Sequence, residues 1–312
     1  PLNAGVVGSN GGVIATRNIV AQADLVFFIG CRAGSTTTEH WRFPSPNTTI
    51  IHLDIDANTI GVNYKTHAPL FGDAKLTLEL INVLLQKQII NRTKKVIDGQ
   101  TLSLQSKEEK FAPFLQLAQS NDSPIVPERI VHSLNRLLPK DAIICADPGT
   151  PCPYFSAYFL SDIPGRHFIT NRAHGALGYA MSAAIGAAIG RPNLKSVAVM
   201  GDGSFGFTVG ELETITRRKL PILMIVISNS VYGWIKASQK SGYDKRYFSV
   251  DFERTDHARV AAAYGIQSWR VDNPLQLDEV LKKAIESGAP ALVDIISQPL
   301  QDAAAPVSQW MG

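Results

Sequence analysis

Charge is what this sequence has least of. Only 18% of its 312 residues are Asp, Glu, Lys or Arg, against about 25% in an average soluble protein. The 30 basic and 27 acidic residues nearly cancel, leaving a net charge of +3. That balance excludes the electrostatic footprint of a nucleic-acid or membrane-surface binder. Long apolar runs are also missing. The longest, Ile222-Leu-Met-Ile-Val-Ile227, is far short of the roughly 20 residues that cross a bilayer. No basic-then-apolar leader opens the chain, so nothing points to secretion. The three cysteines, Cys31, Cys145 and Cys152, are odd in number and form no C-x-x-C. They argue against a disulfide framework and for a reducing, cytoplasmic setting. Internal repeats and low-complexity tracts are absent. What is plentiful is apolar side chain, 45% of residues, enough for a sizeable core and too much for a disordered or fibrous chain. At roughly 150 residues per domain, the length suggests two domains. Position 1 is proline, and the chain is read as a fragment or subunit of something longer.

Strand and helix patterns alternate in the first ninety residues. Ala23–Gly30 and Thr49–Asp56 are short apolar runs of the kind found in buried parallel strands. Leu76, Leu80, Val83 and Leu84 share one face of a helical pattern over 76–85. From Gln86 to about Asp122, Lys, Gln, Asn and Ser dominate, ending in Lys107-Glu-Glu-Lys110. Two readings fit that stretch: an exposed connector with some helix, or two surface helices of one continuous domain. We take the first, giving a central domain over 1–88, a linker over 89–123 and a second domain over 124–312. In the second domain, strands are expected at 141–146, 167–170, 196–200, 221–227, 266–271 and 291–296. Helices are expected at 127–138, 177–189, 209–217, 258–264 and 275–287. Such alternation predicts an α/β fold: two doubly wound, mostly parallel sheets. Ligands in such sheets sit beyond the carboxyl ends of the strands.

The chemistry is expected at one such end. The apolar run Ser196–Met200 enters Gly201-Asp202-Gly203, and a helix pattern follows. Glycines at a strand-to-helix turn let backbone N–H groups approach an anion, and a helix N-terminus favours phosphate. Asp202 in the same turn would repel phosphate unless a cation lies between them, most simply Mg²⁺. The next apolar run ends at Ser228-Asn229-Ser230. Adjacent parallel strands lie about 4.8 Å apart, so Asp202 and Asn229 can share one metal. The carbonyl of Val231 is a third candidate ligand. A lone G-D-G occurs in many turns; G-D-G, helix, strand and then Asn is far more specific.

The run from Gly201 to Asn229 resembles the cofactor motif of thiamine diphosphate-dependent enzymes, which join G-D-G to Asn-Asn over a similar spacing. Here Ser228 replaces the first asparagine, while the second, the family's metal ligand, is present as Asn229. The resemblance implies Mg²⁺ held by Asp202, Asn229 and Val231. It further implies cofactor contacts from Gly201, Asp202, Gly203, Ser204, Asn229, Val231, Tyr232 and Gly233. Gly149-Thr150 is similar to the segment that family members set against the terminal phosphate. Gly175-Ala-Leu-Gly178 is similar to the segment beneath the thiazolium ring, implying that Leu177 props the cofactor into a V and that the Gly175 carbonyl accepts from its aminopyrimidine. Gly5-Val-Val-Gly8, Phe28-Ile-Gly-Cys-Arg32 and His52-Leu-Asp-Ile-Asp56 resemble the central domain of the acetolactate synthase-like branch. In acetolactate synthases that domain holds FAD, partly through acidic and basic residues after the arginine. Arg32 is followed instead by Ala33-Gly-Ser-Thr-Thr-Thr38, so the resemblance does not carry flavin to this chain. Asp54 and Asp56 could meet a ribose, but are read first as strand-end acids capping the next helix.

Family members activate the cofactor with a glutamate on an N-terminal pyrimidine-binding domain. Nothing in this chain resembles that domain, so no residue here is assigned that catalytic role. The implied partners are such a domain on the same or another chain, a homodimeric or homotetrameric assembly, and a small 2-oxo acid; nucleic acid and membrane are not among them. The implied activity is decarboxylation or carboligation by the complete protein, with the isolated chain inactive. A non-catalytic partner subunit that keeps the diphosphate cradle, and an ATP-type nucleotide binder, are the competing readings. Of the remaining residues, His174, Tyr232 and Trp234 are candidates to face substrate, Lys236, Lys240, Lys245 and Arg246 are read as a solvated face, and Gly186-x-x-x-Gly190 as a close-packing surface.

Overall fold

The computed structural model describes residues 2–88, 98–172 and 174–307. It divides into two compact units, Pro1–Lys110 and Phe111–Gly312. In the first, α1 (Ile14–Ala21) precedes β1 (Leu25–Ile29), α2 (Ser35–Thr38), β2 (Thr49–Asp54), β3 (Ala68–Phe71) and α3 (Ala74–Gln88). The strands form one parallel sheet in the order β1-β2-β3. Its core is small, centred on Phe28, Ala33 and Ile50. Arg17 grips the buried Glu39 through two N–H donors, at 3.0 and 2.6 Å. β3 was not anticipated from sequence: it is a four-residue edge strand containing Pro69, and a proline there weakens the strand signal while costing an edge nothing. The leucine-rich face of α3 is helical as expected, yet Leu76, Leu80, Val83 and Leu84 are all at least half exposed. Asp54 and Asp56 accept backbone N–H bonds from Asp56 and Asn58, but they close a turn that leads to β3 and cap no helix.

Helix α4 (Gly99–Ala118) occupies much of the expected connector, whose residues 89–97 lie outside the described residues. Ser103, Ser106, Lys110 and Phe114 are buried in it, and burial lowers the Lys110 ammonium pKa to about 8.

The second unit continues with α5 (Pro127–Leu137), β4 (Ile143–Ala146), α6 (Pro151–Tyr158), β5 (Phe168–Ile169), α7 (Tyr179–Gly190), β6 (Ser196–Gly201), α8 (Asp202–Thr208), α9 (Glu211–Arg218), β7 (Leu223–Ser228), α10 (Gly233–Gly242), α11 (His257–Ala263), β8 (Gln267–Val271), α12 (Leu277–Glu286) and β9 (Ala291–Ile296). All six strands are parallel, in the order β5-β4-β6-β7-β9-β8. Successive residues of a strand point to opposite faces, and both faces are covered. Val197, Val199, Leu223 and Ile225 pack with residues of α5, α6 and α12. Ala198, Met200, Met224 and Val226 pack with residues of α7, α9 and α11. No helix among the described residues is long and apolar enough to cross a membrane.

Glycine placement separates two kinds of position on α7. Gly178, before its first turn, has φ +83°, and a Cβ there would lie 2.8 Å from Thr208 Cγ2 and 3.0 Å from Phe207 Cβ. Gly186, in the middle of α7, is exposed and would meet nothing within 4 Å. Gly186 and Gly190 therefore do not form the close-packing surface read from their spacing. We expect Gly178→Ala to destabilise by about 2 kcal/mol or more, and Gly186→Ala to stabilise by about 0.5–1 kcal/mol. Thermal melts of the two variants should move in opposite directions.

Candidate functional site

The chain leaves β4 toward β5 on one side and returns through β6 on the other. The crevice between the carboxyl ends of β4 and β6 is thus a topological switch point, the expected place for a ligand. A cleft of about 230 Å³ opens there. Its walls include Gly149, Thr150, Gly175, Leu177, Gly201, Asp202, Gly203, Ser204, Asn229, Val231, Tyr232 and Gly233. These twelve residues, singled out from four separate stretches of sequence, come together around one space.

Parallel pairing sets Gly201 opposite Ile227, so the chain emerges at Asp202 and at Ser228-Asn229 on one edge. The Asp202 carboxylate is buried and accepts three backbone N–H bonds. Gly203 donates to Oδ1 at 2.9 Å, while Asn229 and Ser230 donate to Oδ2 at 2.8 and 2.6 Å. Burial nevertheless raises its pKa, outweighing those donors. Asn229 Nδ2 reaches Thr150 Oγ1 at 3.4 Å. Its Oδ1 is buried without a hydrogen-bond partner, an acceptor whose desolvation is uncompensated. Gly203 lets the Tyr232 ring close over the turn, because a Cβ there would lie 2.7 Å from Tyr232 Cε1.

Asp147, at the end of β4, was not anticipated and organises the opposite wall. It is fully buried, and its Oδ1 accepts the Ala180 N–H at 3.0 Å. Its Oδ2 is buried without a hydrogen-bond partner, with the Gly178 and Tyr179 N–H groups and the Ser204 hydroxyl nearby. One side chain thereby ties the end of β4 to the start of α7, next to the segment that carries Leu177. Leu177 Cδ2 comes within 3.9 Å of where a Gly149 Cβ would stand. Burial pushes the Asp147 pKa up to about 6 despite these donors. From sequence, the only signal was an acid at the end of an apolar run before Pro148-Gly149.

The cleft also includes Arg172, Trp234 and Ile235. The Arg172 guanidinium lies 5.6 Å from the Trp234 ring centroid, in the range of a cation–π contact. Tyr232 and Trp234 thus line the pocket, with Tyr232 packed on Phe252. His174 is exposed and is not among the lining residues. Lys236 departs from the solvated-face reading: its side chain is 16% exposed, paired with Asp251 at 2.5 Å and set over Tyr247. Cys31, Cys145 and Cys152 are free thiols.

Among the described residues no group of three or more His, Cys, Asp or Glu side chains is placed to hold a metal ion. The donors at this cleft are instead one carboxylate, one amide oxygen and backbone carbonyls, a hard set suited to Mg²⁺ and unsuited to a soft metal. The orphaned Asn229 oxygen and the buried Asp202 charge both call for a cation, so these residues fit a metal-bridged anion.

Comparison with known proteins agrees. A family model described as the C-terminal TPP binding domain of thiamine pyrophosphate enzymes matches residues 147–295. A second, for the central domain of the same enzymes, matches residues 1–81. The chain belongs to the thiamine pyrophosphate enzyme family. Within it, the chain is acetolactate synthase-like. It is 31% identical over 307 residues to a probable acetolactate synthase large subunit from Methanococcus aeolicus, covering 96% of this chain and 51% of the relative. It is 28% identical over 283 residues to the acetolactate synthase isozyme 3 large subunit of Escherichia coli, covering 90% and 48%. A probable sulfoacetaldehyde acetyltransferase of Rhizobium meliloti is also 28% identical, over 316 residues, covering 95% and 53%. The chain spans about half the length of the curated relatives it matches.

Proposed function

We propose that this chain supplies the diphosphate side of a thiamine diphosphate- and Mg²⁺-dependent site in an enzyme acting on 2-oxo acids, by decarboxylation or carboligation. The observation that carries the reading is the joining of Asp202 and Asn229 across neighbouring strand ends, with an unsatisfied amide oxygen beside a buried carboxylate. Asp202, Asn229 and the Val231 carbonyl would hold Mg²⁺. Gly149, Thr150, Gly201, Gly203 and Ser204 would border the diphosphate, with Tyr232 and Gly233 closing the cleft over it. Leu177 would support the bend of the cofactor, and the Gly175 carbonyl would accept from its aminopyrimidine. When bound, thiamine diphosphate supplies a carbon nucleophile for a 2-oxo acid carbonyl and a sink for the electrons freed with CO₂. The residues of this chain would bind and orient it, with Trp234 and Ile235 bordering the adjoining space. The activating glutamate is assigned to a pyrimidine-binding domain of the same or another chain in a cytoplasmic homodimer or homotetramer. The domain limits proposed are 1–88, 89–123 and 124–312.

Titrating the intrinsic tryptophan fluorescence of the chain with thiamine diphosphate, with and without Mg²⁺, tests this reading. Trp234 lines the cleft, so a weak, saturable and Mg²⁺-dependent change is expected, with no competition from ATP and little or no turnover of a 2-oxo acid. Binding indifferent to Mg²⁺, or equal competition by ATP, refutes the metal-bridged site. Robust turnover by the chain alone refutes the placement of the activating group elsewhere.

A further inference from the structure

The serine that departs from the family's paired asparagines has a structural explanation. Ser228 ends β7 and is 1% exposed. Its hydroxyl donates a short hydrogen bond to Asp294 Oδ1 on β9 and lies 3.1 Å from His257 Nδ1 on α11. Asp294 is fully buried, and in this bond the Ser228 hydroxyl is the donor. The Ser228 proton therefore points to Asp294, and its lone pairs face the ring nitrogen. Asp294 Oδ2 also accepts the backbone N–H of His257 at 3.2 Å. The imidazole rests edge-on against Phe205 of α8, with ring centroids 5.2 Å apart. This cluster thus braces both elements that carry the proposed ligands: β7, which ends beside Asn229, and α8, which begins at Asp202.

We propose that Ser228, held by Asp294 and His257, is a positioning residue that sets the Asn229-Ser230 turn against Asp202. This rests on the reading of Asp202 and Asn229 as metal ligands. A buried carboxylate is a poor device for stability alone, since apolar side chains of equal volume avoid its desolvation. Its use here is to fix direction. Through the Ser228 hydroxyl, the cluster stops the strand end from rotating. That keeps the Asn229 and Ser230 N–H groups on Asp202 Oδ2 and leaves Asn229 Oδ1 free for a cation.

The test is a Mg²⁺ titration at fixed thiamine diphosphate, followed by tryptophan fluorescence, on the full chain and on Ser228→Ala and Asp294→Asn. Binding of cofactor without metal and the melting temperature are measured alongside. Loss of groups that orient metal ligands typically lowers metal affinity 10- to 100-fold. Ser228→Ala is expected to weaken Mg²⁺ binding by about tenfold or more, with metal-free cofactor binding unchanged; Asp294→Asn should weaken it in the same sense. If Ser228→Ala fails to fold, Asp294→Asn carries the same comparison, because it keeps the side-chain volume and one oxygen acceptor. Equal Mg²⁺ affinity in wild type and variant overturns the inference. So does a parallel loss of metal-dependent and metal-free binding, which marks a merely structural role. Absence of Mg²⁺-dependent binding in the wild-type chain instead overturns the metal-site reading, and this inference with it.

Discussion

Asp202→Ala is expected to lower Mg²⁺-dependent thiamine diphosphate affinity by about one to two orders of magnitude. A charge-assisted contact is worth about 1.5–3 kcal/mol, and Asp202 is the one carboxylate lining the cleft among the described residues, so the metal would lose its charged ligand outright. A second loss accompanies the first. Gly203, Asn229 and Ser230 all donate to this carboxylate, and each buried N–H left without an acceptor costs about 1–3 kcal/mol. The alanine variant should therefore also melt earlier. Asp202→Asn separates the two effects. An amide oxygen at the Oδ2 position keeps the Asn229 and Ser230 donors, so folding is largely retained while the charge is gone. Fluorescence titrations and thermal melts of both variants check this. Asn at 202 binding cofactor and Mg²⁺ within twofold of wild type would remove Asp202 from the metal.

Much of this site could be read before any fold was known, because its signal is local. Strand β6 and the G-D-G turn are contiguous, and Asn229 marks the end of the next apolar run. The sheet then had only to be parallel for them to meet. The parts that were missed are those where sequence neighbours carry no sign of the partner. Asp294 and His257 are 37 residues apart and meet only because α11 packs against β9. Arg172 follows an edge strand of two residues and reaches Trp234 from a loop. Helix α6 is not among the expected helices; it is short and opens on Pro151, a residue well tolerated at the first helical position. The Gly201-Asp202-Gly203 turn is also shorter than expected, with Asp202 already the first residue of α8. That places its carboxylate where it receives the Gly203 N–H rather than facing only the cleft.

Glu128 is the clearest instance of a residue whose sequence context misleads, and its replacement should stabilise the fold above neutral pH. An acid after a helix-opening proline, as in Pro127-Glu128, normally sits in solvent and complements the helix dipole. Here Glu128 is 2% exposed, and its Oε1 has no hydrogen-bond partner. The hydroxyl of the fully buried Tyr154 is likewise unpartnered. Burial pushes the Glu128 pKa from 4.5 to about 7, and its charge adds to the burial that raises the Tyr154 and Tyr158 pKa values. Because the folded value exceeds the unfolded one, the folded state holds the proton more tightly. The associated stability is fully present below about pH 4.5 and is lost as pH rises through about 7. At roughly 1.4 kcal/mol per pKa unit, the penalty at pH 8 is on the order of 3 kcal/mol. Glu128→Gln keeps the shape and cannot ionise. It should match wild type within a few tenths of a kcal/mol at pH 4.5 and exceed it by about 3 kcal/mol at pH 8. For a domain of this size that is a rise in melting temperature of about 4–12 °C. Urea unfolding at the two pH values reads the difference directly. A Gln variant no more stable than wild type at pH 8 means that Glu128 ionises in the fold without penalty, through a compensating donor inside the helix layer of α5 and α6.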